Sequence, residues 1–544
     1  MKKVMTIFLL VALVAVYACS LVACKPNGGY EEVEGKTNIR VATYNGGLGK
    51  EWLETAAKEF EKKYENKSFE EGKTGVAVHV EFCQSADLLI NQSLKSNVYL
   101  TELFDYYTWV NDGKVADITD AVKGNLAEEF GEDKTIERKL DNQFVDFLTA
   151  KDGKYYALPF YDGFMGFVYD VDWFCKQGYF FKKGGGFTGD MTQLAEGPDG
   201  IAGTWDDGMP ATYDDFTKLL DKIEGDGGTP LVYGSDATDY WQKALTSWWA
   251  NYEGKQNMLA NWKLQGTFDR VTAINGNNVT TDKFTLDASN VATSAKELQK
   301  QPGKYYALRF IDDVLCSKQT NYNSTLYLEA QSFLVNTGIN QTNTKYSLLL
   351  DGAWWENEAT LNDVFEDASA VDFNYNPADG DYKSTRRFAM MPVPRAYGQT
   401  TENYKQTLYS DNAAFAFVGS NTVGAQLDVS KLFMQYLHTD AQLSAFTAKT
   451  SIPRCLNYEI FDTDEAKMTY FGKYMMEMKA ASDVVYPYSG TDYYLRNSGS
   501  FTLSNWGWKS RISGIVRESP FATIASSGGK VTAEDYFKGL YEAH

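Results

Sequence analysis

The feature that most constrains the fold lies between residues 38 and 82. Asn38-Ile39-Arg40-Val41-Ala42-Thr43-Tyr44 is a short β-prone run that breaks at Asn45-Gly46-Gly47, a turn signal. Behind it Trp52, Ala56, Phe60 and Tyr64 recur four apart among Glu and Lys, with Leu53 and Ala57 beside them. That spacing predicts a helix with one apolar stripe. Val76 to Phe82 then alternates as a second strand, with His79 on its polar, solvent-facing side. Two strands joined through a helix run parallel, so the chain opens as an α/β unit. Ligands of such sheets collect outside the carboxyl ends of the strands. Tyr44 and Asn45 are therefore candidates for the floor of a cleft, with a plain turn as the other reading.

At 544 residues the chain is long enough for several domains. Its net charge of −20 excludes nucleic acid as a natural partner, because phosphate binding needs a basic footprint. Aromatic residues reach 15%, which argues against disorder and leaves a surplus for packing or for ligand contact. His-dependent chemistry has only His79, His438 and His544 to draw on. Neither an H-E-x-x-H pattern nor a G-x-S-x-G elbow occurs.

The first residues read as an export signal. Lys2 and Lys3 precede an unbroken apolar run, Ile7 to Ala18, and Leu21-Val22-Ala23-Cys24 follows. A transmembrane helix would need about 20 apolar residues. The tetrapeptide decides between them, because it resembles the bacterial lipobox, in which the cysteine is lipidated. Residues 1–23 are thus expected to leave as a signal peptide, with Cys24 the lipid-bearing N-terminus and 24–36 a flexible tether. The expected location is the cell membrane, on its extracytoplasmic side, held through the lipid alone. Cys83, Cys175, Cys316 and Cys455 are widely spaced and show no metal pattern. Disulfides and buried thiols both fit.

Further along, Asp87 to Trp109 reads as helical. The sequence Lys154-Tyr155-Tyr156-Ala157-Leu158-Pro159-Phe160-Tyr161-Asp162-Gly163 leads into a strand at Phe167 to Asp170. A glycine-rich stretch at 182–210 holds a formal G-x-G-x-x-G, but no strand leads in and no helix follows, so a dinucleotide site is rejected. Thr212-x-x-Asp215 reads as a helix cap for Phe216, Leu219, Leu220 and Ile223. Residues 266–290 suggest a hairpin insertion and 367–385 an acidic surface loop. Gly303 to Leu308 echoes Gly153 to Leu158 without establishing a repeat. His438, at the end of the apolar helix around Val429 to Leu437, reads as a capping or packing residue.

The order of four stretches resembles family 1 extracellular solute-binding proteins, the sugar-binding lipoproteins of ABC importers. They are Ile39 to Tyr64; Tyr156 to Phe160 through Val168 to Phe174, then Pro210 to Phe216; Leu350 to Trp355, then Phe388 to Pro394; and Lys431 to Leu437, then Phe446-Thr447 and Ser451 to Arg454. The resemblance implies an α/β, two-lobed periplasmic-binding-protein fold of type II, with a hinge and a ligand cleft between lobes. It places 37–160 in the N-terminal lobe, 161–390 with its insertions in the C-terminal lobe, 391–450 back in the first, and 451–544 in the second with cleft-lining helices.

On matching positions, Trp354 and Trp355 are the leading candidates to stack on a sugar ring. Trp506 and Trp508 resemble the aromatic pair of the family's C-terminal cleft segment. Tyr161 and Asp162 fall where the chain first changes lobes, and Trp241 and Glu102 complete the set. Any one of these tryptophans could equally pack in the core. The chemistry agrees, since flat rings cover the C–H faces of a sugar while carboxylates and amides meet its hydroxyls. The expected partners are a carbohydrate, such as an oligosaccharide, and ABC permease subunits. The protein is expected to be a monomer without enzymatic activity or required cofactor. Asp199, Asp206 and Asp207, in a glycine-rich loop, are candidate calcium ligands or a solvated acidic turn. A secreted glycoside hydrolase and a mainly helical surface glycan-binding lipoprotein are the competing readings.

Overall fold

The computed structural model describes residues 31–83, 95–102, 106–287, 289–316, 322–339, 344–402, 404–411, 414–487 and 507–543. The proposed signal peptide, Cys24 and Trp506 lie outside these residues.

The opening strand β1 (Thr37–Thr43) pairs in parallel with β2 (Val76–Phe82) on one side and with β3 (Val98–Thr101) on the other. β1 and β3 are covered on both faces, as parallel strands in an α/β layer must be. The Glu51–Lys63 helix buries Trp52, Leu53, Ala56, Ala57 and Phe60, the expected stripe. Phe60 meets Phe433 of the Gly424–Leu437 helix edge-on, with centroids 5.0 Å apart. Burying one such ring contributes about 1.5–3 kcal/mol. His79 sits part-exposed on β2 with Nε2 3.0 Å from Asn38 Oδ1. His438 caps the Gly424–Leu437 helix from a fully buried position, its Nδ1 2.7 Å from Met434 O. Burial holds its imidazole near 3, well below the usual histidine range, so it is neutral.

β3 corrects the helix expected over 87–109. Val98-Tyr99-Leu100-Thr101 pairs with β1 and a helix runs Tyr106–Asn111, while residues 87–94 of the expected helix lie outside the described residues. A four-residue strand buried on both faces carries no alternation that would reveal it.

Strand β4 (Ala157–Pro159) completes the first sheet at its edge, where a proline is tolerated. The chain then crosses and enters a second sheet through β5 (Met165–Asp170). In the first sheet the order is β2, β1, β3, Phe415–Val418, β4. In the second it is Tyr322–Thr325, Thr229–Gly234, Tyr346–Gly352, β5, Phe388–Met390. Each sheet has one antiparallel member in its fourth place, Phe415–Val418 in the first and β5 in the second. Both are the first strand of their sheet that the chain forms after changing lobes. The two lobes are thus copies of one plan, each contributing a strand on the chain's return.

The insertions follow the sequence in part. Thr267–Asn275 and Asn278–Thr285 form the expected hairpin. Thr212 caps the Tyr213–Gly225 helix, accepting from Asp215 N at 3.3 Å. The 367–385 region is less of a loop than expected, since a helix runs Val364–Val371 and two short 3-10 turns follow. Cys175 and Cys455 carry free thiols.

Candidate functional site

The two sheets face each other across a cavity of about 190 Å³ lined by Gly46, Glu102, Tyr161, Gly163, Tyr240, Lys243, Trp354, Glu358 and Asp411. The topology accounts for its position. Gly46 follows β1, Glu102 follows β3, and Trp354 follows the Tyr346–Gly352 strand, so three carboxyl ends converge there. Tyr161 and Gly163 belong to the first crossing segment and Asp411 to the second.

One wall is aromatic. Trp354 is nearly buried, and its Nε1 donates to Tyr240 Oη at 3.1 Å, leaving the Tyr240 hydroxyl proton for another acceptor. The indole lies over the backbone at Gly352, where any Cβ would overlap it. Opposite, Tyr161 Oη donates to Glu102 Oε1 at 3.0 Å and is hydrogen-bonded to Tyr44 Oη, the two rings being stacked with centroids 6.4 Å apart. Tyr44 therefore supports the wall from behind.

The polar part is acidic. Glu358 and Asp351 are bridged by Gln331, whose Nε2 donates to Asp351 Oδ2 at 3.0 Å and to Glu358 Oε2 at 2.9 Å. Burial raises both carboxyls above the usual range, and the nearby Glu358 charge raises Asp351 further. Asp411 is pushed up to about 6 by burial, against the pull of Lys243. Lys243 Nζ lies 2.9 Å from Asp239 Oδ2, 3.9 Å from Asp411 Oδ2 and 5.9 Å from the centre of the Trp354 ring.

Of the residues singled out in the sequence, Glu102, Tyr161 and Trp354 line the cavity and Tyr44 backs it. Asn45 is exposed beside Gly46, its carbonyl accepting from Leu48 N. Four placements correct the expectation. Trp355 is fully buried against Phe388 and Phe471. Trp241 stacks on Phe521 at 3.7 Å inside the C-terminal lobe. Trp508 is buried, with Nε1 donating to Thr246 Oγ1 at 2.9 Å. Asp162 points away from the cavity into the hinge, where Lys479 Nζ lies 2.7 Å from Oδ2 and Ser410 Oγ donates to Oδ1 at 3.1 Å.

Tyr240, Lys243, Glu358 and Asp411 were missed. Helical geometry could have found three of them. Tyr240 and Lys243 are three apart on one helix, and Trp354 and Glu358 are four apart, so each pair shares a face. Trp241 and Trp355, one position on, point about 100° away into the core.

In the Asp199 to Asp207 loop, the candidate calcium site, the carboxylates are partly engaged by the loop, while Asp207 Oδ1 is buried without a hydrogen-bond partner. Asp199 Oδ1 accepts from Ile201 N at 2.7 Å, Asp206 accepts from Asp199 N and Thr204 Oγ1, and Asp207 Oδ2 accepts from Gly203 N. Among the described residues no group of three or more His, Cys, Asp or Glu is placed to hold a metal ion.

No protein-family model matches the chain, and no curated protein matches it. Solved structures do. The cyclic alpha-maltosyl-1,6-maltose binding protein from Arthrobacter globiformis matches with a TM-score of 0.52 at 12% identity, over 94% of this chain and 98% of that one. The fold is that of the two-lobed solute-binding proteins. The GacH receptor of Streptomyces glaucescens, solved unliganded and with acarbose, matches at a TM-score of 0.50 and 14% identity, over 94% and 98%. A probable secreted solute-binding lipoprotein from Streptomyces coelicolor gives 0.50 and 11%, over 94% and 99%. In this solute-binding fold the cavity described above occupies the space between the lobes, and among the described residues no helix is long and apolar enough to cross a membrane.

Proposed function

We propose that the protein is an extracytoplasmic receptor that captures a carbohydrate by closing its lobes and presents it to the permease of an ABC importer. Lipidated Cys24 would hold it at the membrane. One observation carries the reading: the interlobe cavity combines rings at Trp354, Tyr240 and Tyr161 with the carboxylates of Glu102, Glu358 and Asp411. Rings cover the apolar faces of a sugar, and carboxylates accept from its hydroxyls. The structural neighbours named for a maltose-type saccharide and for acarbose support the same class. They are binding proteins, which supports a non-catalytic role. The mainly helical alternative sits poorly with two five-stranded sheets.

Titration calorimetry against a panel of mono- and oligosaccharides tests the reading, with mass spectrometry of co-purified ligand to guide the choice. Trp354→Ala is expected to weaken binding by about 2 kcal/mol or more, the scale of a buried aromatic anchor. Trp354→Phe, which keeps a ring but loses the bond to Tyr240, is expected to retain most of the affinity. Unchanged affinity in Trp354→Ala would remove the assignment of this cavity. Turnover of a chromogenic glycoside would favour the hydrolase instead.

A further inference from the structure

We propose, resting on the carbohydrate reading above, that the ligand carries a protonated amine, which the cleft holds between the Glu102, Glu358 and Asp411 carboxylates and its aromatic wall. The first ground is the imbalance of charge. Three carboxylates line the cavity, and Lys243 is the sole cation among the described residues that line it. Lys243 is already engaged, 2.9 Å from Asp239 and more distant from Asp411. Asp351, bridged to Glu358 through Gln331, adds a fourth acid just behind the wall.

The second ground is the inventory of donors and acceptors. The Trp354 indole N–H is spent on Tyr240, the Tyr161 hydroxyl on Glu102, and the Gly163 amide on Ser410 Oγ at 3.1 Å. What remains toward the cavity is the carboxylate oxygen of three acids, set against the Tyr240 hydroxyl and the Lys243 ammonium as donors. A neutral sugar offers hydroxyls that must accept as well as donate, whereas an ammonium only donates. A site so rich in acceptors matches the second better.

The third ground is the rings. Lys243 Nζ already rests 5.9 Å from the Trp354 ring centre, and Tyr240 and Tyr161 present further π surface. Aromatic faces attract cations, most strongly when water is excluded. Carboxylates buried together without a counter-charge are costly, and a ligand ammonium supplies that charge when the lobes close. Burial raises the Glu358 and Asp411 carboxyls, for Asp411 against the pull of Lys243, and a ligand cation between them would draw both back down.

The test uses the full mature protein at neutral pH. Calorimetry compares 2-amino and 2-hydroxy sugars as matched pairs of D-gluco, D-galacto and D-manno configuration, with their β-1,4-linked dimers, and includes spermidine as a non-sugar amine. At least one amino sugar is expected to bind about 10-fold or more tightly than its hydroxyl partner, as one charge-assisted contact allows. Glu358→Gln, which keeps a carbonyl acceptor and removes the charge, is expected to bring that ratio close to one. Hydroxyl partners binding as well as or better than the amines would overturn this inference and leave the carbohydrate reading standing. Spermidine binding without any sugar would overturn the carbohydrate reading. An unchanged ratio in Glu358→Gln would also overturn the inference.

Discussion

Asp351 occupies an environment far from what its type prefers. Its carboxyl is fully buried, accepts from Gly352 N and Gln331 Nε2, and is pushed up to about 8 by burial first and by the neighbouring Glu358 second. In the unfolded chain it would titrate near 4. A folded value above the unfolded one means that the folded state holds its proton longer. Its contribution is complete below about pH 4 and is lost as pH rises toward 8. Asp351→Asn should remove that loss. The amide oxygen can still accept from Gly352, and a flipped Gln331 amide can meet the new donor through an oxygen that otherwise has no partner. Thermal melts of the ligand-free protein at pH 5 and pH 9 are expected to show the wild type losing more stability than the variant. The difference should be at least about 1.4 kcal/mol, the equivalent of one pH unit of linkage. Parallel pH curves would refute it. Asp351 and its partners were only partly legible beforehand. Trp354 and Glu102 could be placed only through the resemblance to the family, since the strand that Glu102 follows read as part of a helix. Glu358 was within reach only from Trp354, four residues earlier on the same helix face, and Asp411 is a single acid among many that only the folded geometry distinguishes.

Among the elements, one pair of segments shows where local sequence stops deciding. Residues 153–160 read GKYYALPF and 303–310 read GKYYALRF. In the first, Ala157–Pro159 is a strand paired with Phe415–Phe417. In the second, Pro302–Arg309 is a helix that runs on into the wider turns of Phe310–Leu315. Pro302 supplies a favourable first helical position, and Pro159 forbids continuation at the matching end of the first copy. Packing does the rest, since Gly303 lies against Trp249 and its amide donates to Glu253 Oε1 at 2.7 Å. Arg309→Pro is therefore expected to lower stability by about 3 kcal/mol or more, through the ring clash and the lost helical bond. Arg309→Ala, which loses the side-chain bonds to Asp313, Gly276, Tyr305 and Asn277 but keeps the helical backbone, should cost less. Urea unfolding midpoints check the pair, and equal shifts would mean that the helix tolerates the break. The same contrast explains what was legible in the fold. Amphipathic helices such as Glu51–Lys63 and Tyr213–Gly225 carried their period in the sequence, and the second its Thr212 cap as well. Short strands buried on both faces, β3 above all, carried neither.

For the molecule as a whole, the question is what holds the lobes at their separation. Three crossing segments meet at Asp162, which accepts from Ser410 beside the second crossing and pairs with Lys479 beyond the third, while its amide donates to Pro453 O at 2.9 Å. This node fixes the hinge end and leaves the cleft end to direct contact. There Asn357 Nδ2 donates to Gly47 O at 2.6 Å, and a Cβ on Gly47 would come 3.2 Å from the Cβ atoms of both Trp354 and Glu358. Gly47→Ala should therefore hold the lobes apart. Gly47 also has φ of +77°, so strain alone must be separated from closure. Gly153 serves as the control, with φ of +79° and open space where a Cβ would stand. Both variants are expected to lose about 1 kcal/mol of stability from the backbone term. Only Gly47→Ala should shift small-angle scattering toward an open form and weaken ligand binding. If the closed share falls about tenfold, the apparent affinity falls by the same factor, because only the closed form presents both walls to the ligand. Equal affinities in the two variants would show that closure does not depend on this contact, and the lobes would then be held from the hinge side alone.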